Sequence, residues 1–156
     1  MMLNFVELYK ELKGQRYFSI IIHSKPNTGL SEFAQKAAAA IGAKYINLLE
    51  LFVNNKELSD KIQSYSDHDL QEFLKSEVKN GSAILLDKID FLLDTWNKSE
   101  MDSFLKLFNK QWDTFNQTYK VPLIVFIETN SYLDELQINF ENGISKVYHL
   151  SQFNAL

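Results

Sequence analysis

Tyr17 to Gly42, YFSIIIHSKPNTGLSEFAQKAAAAIG, is the stretch that decides the fold. A β-branched apolar run leads into a short polar loop, and the loop into a helical apolar pattern closed by glycine. This is the strand, loop and helix order of a phosphate-binding loop with the register G-x-x-x-x-G-K-[ST]. Here the register is filled by Ser24, Lys25, Pro26, Asn27, Thr28, Gly29, Leu30 and Ser31. The second glycine and the final hydroxyl are kept, while the first glycine and the lysine are replaced. Asn tolerates positive φ better than most residues, so Asn27 is expected to let the loop curl as glycine does. Leu30 puts an alkyl chain where the motif has an ammonium that reaches the β- and γ-phosphates, and tight ATP binding is not expected.

Working outward, Phe5, Leu8, Tyr9 and Leu12 share one helical face within residues 2 to 13, and Gly14 can end that lead-in helix. Tyr17 to His23 reads as a first strand covered on both faces. Leu30, Phe33, Ala34, Ala37, Ala38 and Ile41 form the apolar stripe of the next helix, with Gly42 as its cap. Lys44 to Leu48 is a short second strand, followed to about Ser66 by a loop and a short helix; His68 to Lys79 is helical. Ser82 to Asp87, SAILLD, is a third apolar strand ending in a carboxylate. Ser99 to Tyr119 predicts one long amphipathic helix carrying Met101, Phe104, Leu105, Phe108, Trp112 and Phe115. Leu123 to Ile127, after Pro122, and Lys146 to Leu150 complete five strands. Strands alternating with helices imply a parallel, right-handed βαβ sheet that binds ligands at its carboxyl edge.

The 156 residues are expected to form a single domain, with residues 1–14 as its N-terminal helix, large enough to bury about two thirds of its unfolded surface. There is no cysteine, which excludes disulfides and thiolate metal sites. No apolar run approaches the roughly 18 residues of a membrane span, and no targeting segment is recognised, so a cytoplasmic location is expected. The net charge is −4, and Arg16 is the only arginine beside 15 lysines. The lysines are dispersed among acids, which disfavours direct nucleic-acid binding. A nucleic-acid-binding module would use Lys98, Lys106, Lys110 and Lys120, on and beside the long helix.

With these residues in hand, the chain resembles the core of a P-loop NTPase of the AAA+ kind. SKPNTGLS is similar to a worn Walker A, ILLDKIDFL to a Walker B of the LLIDEIDFL type, and VPLIVFIETN to the strand presenting the sensor-1 polar residue. The resemblance implies a three-layer α/β sandwich with strand order 5-1-4-3-2, without the helical lid. It implies a nucleotide site of Ser24, Lys25, Asn27, Thr28, Gly29, Ser31, Asp87 and Asn130, with Ser31 and Asp87 holding Mg²⁺ if Mg-nucleotide binds. The implied cofactor is ATP or ADP with Mg²⁺, held weakly or not at all.

The departures from the family pattern share a direction. Lys88 replaces the glutamate that polarises water, Leu30 replaces the Walker A lysine, and arginine is nearly absent. A lost arginine finger alone costs about 10³ to 10⁵ in rate, so hydrolysis by this chain alone is expected to be negligible. A P-loop core of this size further resembles the small P-loop protein of type III BREX phage-defence systems. That resemblance implies other subunits of a larger complex as partners, with a homo-oligomer also open. The rival reading is a divergent ATPase completed by a neighbouring subunit; a DNA-binding accessory module is the third.

Several residues carry two readings. Lys25 is either a solvated loop lysine or a substitute phosphate contact. Asp87 is either a metal ligand or the cap of the next turn, and Lys88 is expected to pair with Asp87 or Asp90. Glu128 with Asn130 suits the orientation of water, or a satisfied loop network. His23, His68 and His149 fall on different elements, against a histidine metal site. Trp96, before a polar turn, would mark a partner surface if exposed.

Overall fold

A computed structural model of the chain describes residues 2–15, 18–109, 111–114, 120–134 and 136–156. Arg16, Tyr17, Lys110, Phe115 and the remainder of the expected long helix to residue 119 lie outside them. In chain order the elements are α1 Phe5–Leu12, β1 Ser19–Ser24, α2 Leu30–Ile41, β2 Lys44–Asn47, α3 Leu48–Val53, α4 Lys56–Asp60 and α5 Asp67–Glu77. These are followed by β3 Ile84–Asp87, α6 Asp90–Leu93, α7 Lys98–Leu105, α8 Gln111–Thr114, β4 Leu123–Glu128, α9 Ser131–Asp134 and β5 Val147–His149.

The five strands form one sheet in the order β2-β3-β4-β1-β5, every pair parallel. Read from the other edge this is the expected 5-1-4-3-2. The alternation along each strand sorts the side chains into two cores. Ile20 and Ile22 of β1, Leu85 of β3, and Ile124 and Phe126 of β4 pack against α1 and α2, meeting Phe5, Leu12, Phe33, Ala34 and Ala37. Ile21, Leu86, Leu123, Val125 and Ile127 face the opposite layer, where α3, α5 and α7 supply Phe52, Leu70, Leu74 and Phe104. The sheet is buried on both faces, which is why β1 and β4 read as uninterrupted apolar runs.

Local chemistry sets the element ends. Asn47 accepts a hydrogen bond from the Glu50 amide, so Leu48 opens α3 and is not the last residue of β2. Ser66 and Asp69 cap α5 reciprocally, starting it at Asp67; the helix tightens into a 3₁₀ turn over Val78–Asn80. Gly42, at φ 69°, closes α2 in the left-handed conformation.

The expected continuous helix from Ser99 is corrected. It runs as α7, a 3₁₀ turn Lys106–Phe108, and the separate α8. Asn109 sits between them at φ −94°, ψ −102°, outside helical space, as suits a side chain that competes for backbone hydrogen bonds. Phe108 and Trp112 stay fully buried despite the break. Trp96 is also core: it is buried, and its indole N–H donates to the Tyr65 carbonyl at 2.8 Å. It marks no partner surface.

Candidate functional site: the carboxyl edge of the sheet

The carboxyl ends of β1, β3 and β4 converge on a cavity of about 180 Å³. It is lined by Lys25, Pro26, Asn27, Gly29, Leu30, Ser31 and Glu32 from the loop and the start of α2, and by Asp87, Lys88, Asp90 and Glu128 from the strand ends. Asn27 stands at φ 62° and Gly29 at φ 87°, so the loop does curl through two left-handed residues on its way into α2. Ser24 and Thr28 do not line the cavity. The Thr28 hydroxyl donates to the Lys25 carbonyl at 2.5 Å and pairs with the Ser24 hydroxyl, stitching the loop to itself. Leu30 leans on the α1/α2 core while bordering the cavity.

Asp87 is 2% exposed, and both of its carboxylate oxygens are engaged. Oδ1 accepts the Lys88 amide at 2.9 Å, and Oδ2 accepts the Tyr45 hydroxyl at 2.6 Å. Tyr45 lies on β2 opposite Leu85, and Asp87 lies two residues further along β3 on the same face. Burial first, then the hydrogen bond and charge of Asp87, raise the Tyr45 phenol well above its ordinary value; Ser31 and Gln35, one turn apart on α2, act on it in the opposite sense. Lys88 makes no ion pair with Asp87 or Asp90, correcting the expected pairing. Its backbone is left-handed at φ 60° and its side chain is exposed.

Asp90 opens α6 and accepts the Glu128 amide at 2.9 Å. Burial, and to a lesser degree the charges of Glu128 and Asp87, push its carboxyl up to about 6. The folded value lies above the unfolded one, so the folded chain holds the extra proton, and this part of its stability is lost as pH rises from about 4 through about 6. Asp90→Asn keeps the acceptor oxygen without the charge. It is expected to raise stability at pH 7.5 by about 1–2 kcal/mol, after allowance for solvent screening, and to change it little at pH 4. Urea unfolding at the two pH values checks both halves.

Asn130 lies outside the cavity lining. Its side-chain oxygen accepts the Tyr132 and Leu133 amides at 3.0 and 3.2 Å, which makes it the cap of α9. Two of the three histidines, on different strands as expected, are neighbours: His23 and His149 are register partners on β1 and β5, with ring centroids 5.1 Å apart. His23 Nδ1 is 2.8 Å from the Thr129 hydroxyl. No group of three metal-ligating residues occurs among the described residues. Tyr45 and Asp90 are the site residues that the spacing of motifs missed. Tyr45 carried one faint signal, its in-phase position on a strand predicted to adjoin the one ending in Asp87.

The donor set does not suit a magnesium triphosphate. Leu30 offers no charge, each Asp87 oxygen already accepts a hydrogen bond within the protein, and four carboxylates, Glu32, Asp87, Asp90 and Glu128, line the cavity beside two lysines. The cavity is also smaller than the roughly 300 Å³ at which ligand pockets usually begin.

Comparison with known proteins places the fold. A search of curated proteins found no significant match. The C. elegans PCH-2 structure is similar to this chain at TM-score 0.55 and 10% identity, covering 96% of this chain and 42% of that one. The chain thus spans less than half the length of that protein. Residues 20–149 match the family described as "ATPase family associated with various cellular activities (AAA)". That match takes in β1, the loop, β3 and β4 together, and the chain belongs to the AAA family.

Proposed function

We propose that this chain is a catalytically degenerate AAA core that works by binding, as an assembly subunit of a bacterial multi-protein complex. The observation that supports this most directly is Asp87, whose carboxylate is spent on Tyr45 and Lys88 inside the protein. Leu30 and Lys88, at the two positions that need a cation and a general base, point the same way. The resemblance to the small P-loop protein of type III BREX systems extends the proposal to phage defence, with other subunits of that complex as partners.

The discriminating experiment couples ATP turnover to light scattering, with and without Mg-ATP. The expected outcome is turnover at the buffer background and a mass that ATP leaves unchanged. ATP-dependent assembly accompanied by turnover would instead establish a divergent ATPase completed by its neighbours. Lys88→Glu alone is expected to leave turnover at background, because it restores neither the phosphate cation nor a free Asp87.

A further inference from the structure

In a nucleotide site of this architecture the strand-end carboxylate and the hydroxyl at the start of the helix bracket a divalent cation. In this chain a side chain from a third element reaches that carboxylate. The Tyr45 phenol extends along the face shared by Leu85 and Asp87, and its oxygen meets Asp87 Oδ2 at 2.6 Å. Gln35 and Ser31, one turn apart on α2, are near enough to the same phenol to oppose the rise in its pKa. A hydroxyl proton directed at a carboxylate supplies part of what a cation supplies: a positive end that neutralises buried negative charge and ties two elements together. The Lys88 amide completes the arrangement on Oδ1.

We propose that the Tyr45 hydroxyl, reaching Asp87 from β2 behind the cavity lining, takes on that carboxylate the position of a divalent cation, so that Tyr45 is the residue excluding metal from Asp87. Lys88 does not fill that role, since it is exposed and makes no ion pair with either aspartate. The inference rests on reading this edge as a degenerate nucleotide site, and it adds the specificity: the cavity is built to stand without metal.

The probe is Mn²⁺ alone, followed by the electron paramagnetic resonance signal of the free ion, on wild type, Asp87→Asn, Tyr45→Phe and Tyr45→Phe/Asp87→Asn. Tyr45→Phe keeps the ring and removes only the hydroxyl. Wild type is expected to leave the signal unchanged at millimolar Mn²⁺. Tyr45→Phe is expected to gain one site with an affinity at least about tenfold above wild type, lost again in the double variant. Mn²⁺ binding by wild type that Asp87→Asn abolishes overturns the proposal, and this arm does not depend on Tyr45→Phe folding. So does a folded Tyr45→Phe variant that gains no site. Turnover by wild type would sink the degenerate reading through its own assay. Metal binding without turnover sinks only the role given to Tyr45.

Discussion

Phe104→Ala is expected to lower the unfolding free energy by about 3–5 kcal/mol, the usual range for emptying a buried phenylalanine site. Phe104 is fully buried on α7, in the core beneath the face of the sheet opposite α1 and α2. Its ring packs edge-on against Phe108 at 5.6 Å and tilted against Trp96 at 5.5 Å. Those neighbours hang from segments on either side of α7, the 3₁₀ turn after it and the turn before it. The cavity therefore cannot collapse by the movement of a single helix, and the cost should fall in the upper part of the range. Against a total of about 5–15 kcal/mol for an ordinary domain, this variant sits near the edge of unfolding. Chemical denaturation at pH 7 measures it directly. A loss under about 1 kcal/mol would mean that the aromatic cluster is not the packed centre of this layer.

Leu30→Lys is expected to tighten ATP and ADP binding by about 10–100-fold over wild type, the worth of one charge-assisted hydrogen bond to phosphate. Leu30 is the first residue of α2 and borders the cavity, so a lysine there starts from the right backbone position. The stem of the new side chain can keep the apolar contact that Leu30 makes with the core while its ammonium turns into the cavity. With Tyr45 in place, the gain should be the same in Mg²⁺ and in EDTA. Calorimetric titration of both nucleotides under both conditions reads all of this. A Leu30→Lys variant that remains silent would move the block from the missing charge to the shape of the cavity and its wall of Asp87, Asp90 and Glu128. Micromolar binding by wild type would make Lys25, which also lines the cavity, the substitute cation.

Much of the architecture was legible in the order of residues because it depends on local periodicity. Continuous apolar runs in β1 and β4, the stripe of α2 and the turn of Asn27 and Gly29 each follow from what neighbouring residues must do on a strand, a helix or a left-handed bend. The strand order follows from the family pattern those runs spell out. Element ends were less legible, since Asn47 and Ser66 decide them through single side-chain hydrogen bonds to backbone amides. Whether Trp96, next to a polar turn, lies in or out could not be read from its neighbours; in the structure it is buried between α6 and α7 with its indole N–H on the Tyr65 carbonyl.

The sequence by itself determined that this chain builds a doubly covered parallel sheet with a phosphate-type loop, and that the loop lacks its lysine. Only the tertiary structure decided how the remaining parts of the site are spent. Tyr45 and Asp87 are 42 residues apart, His23 and Thr129 are 106 apart, and the Lys146 ammonium, buried, reaches the Ser19 hydroxyl across 127 residues. No spacing rule links such pairs. They meet because parallel pairing sets the register of strands distant in the chain, and the register alone selects which side chains share a face and an edge.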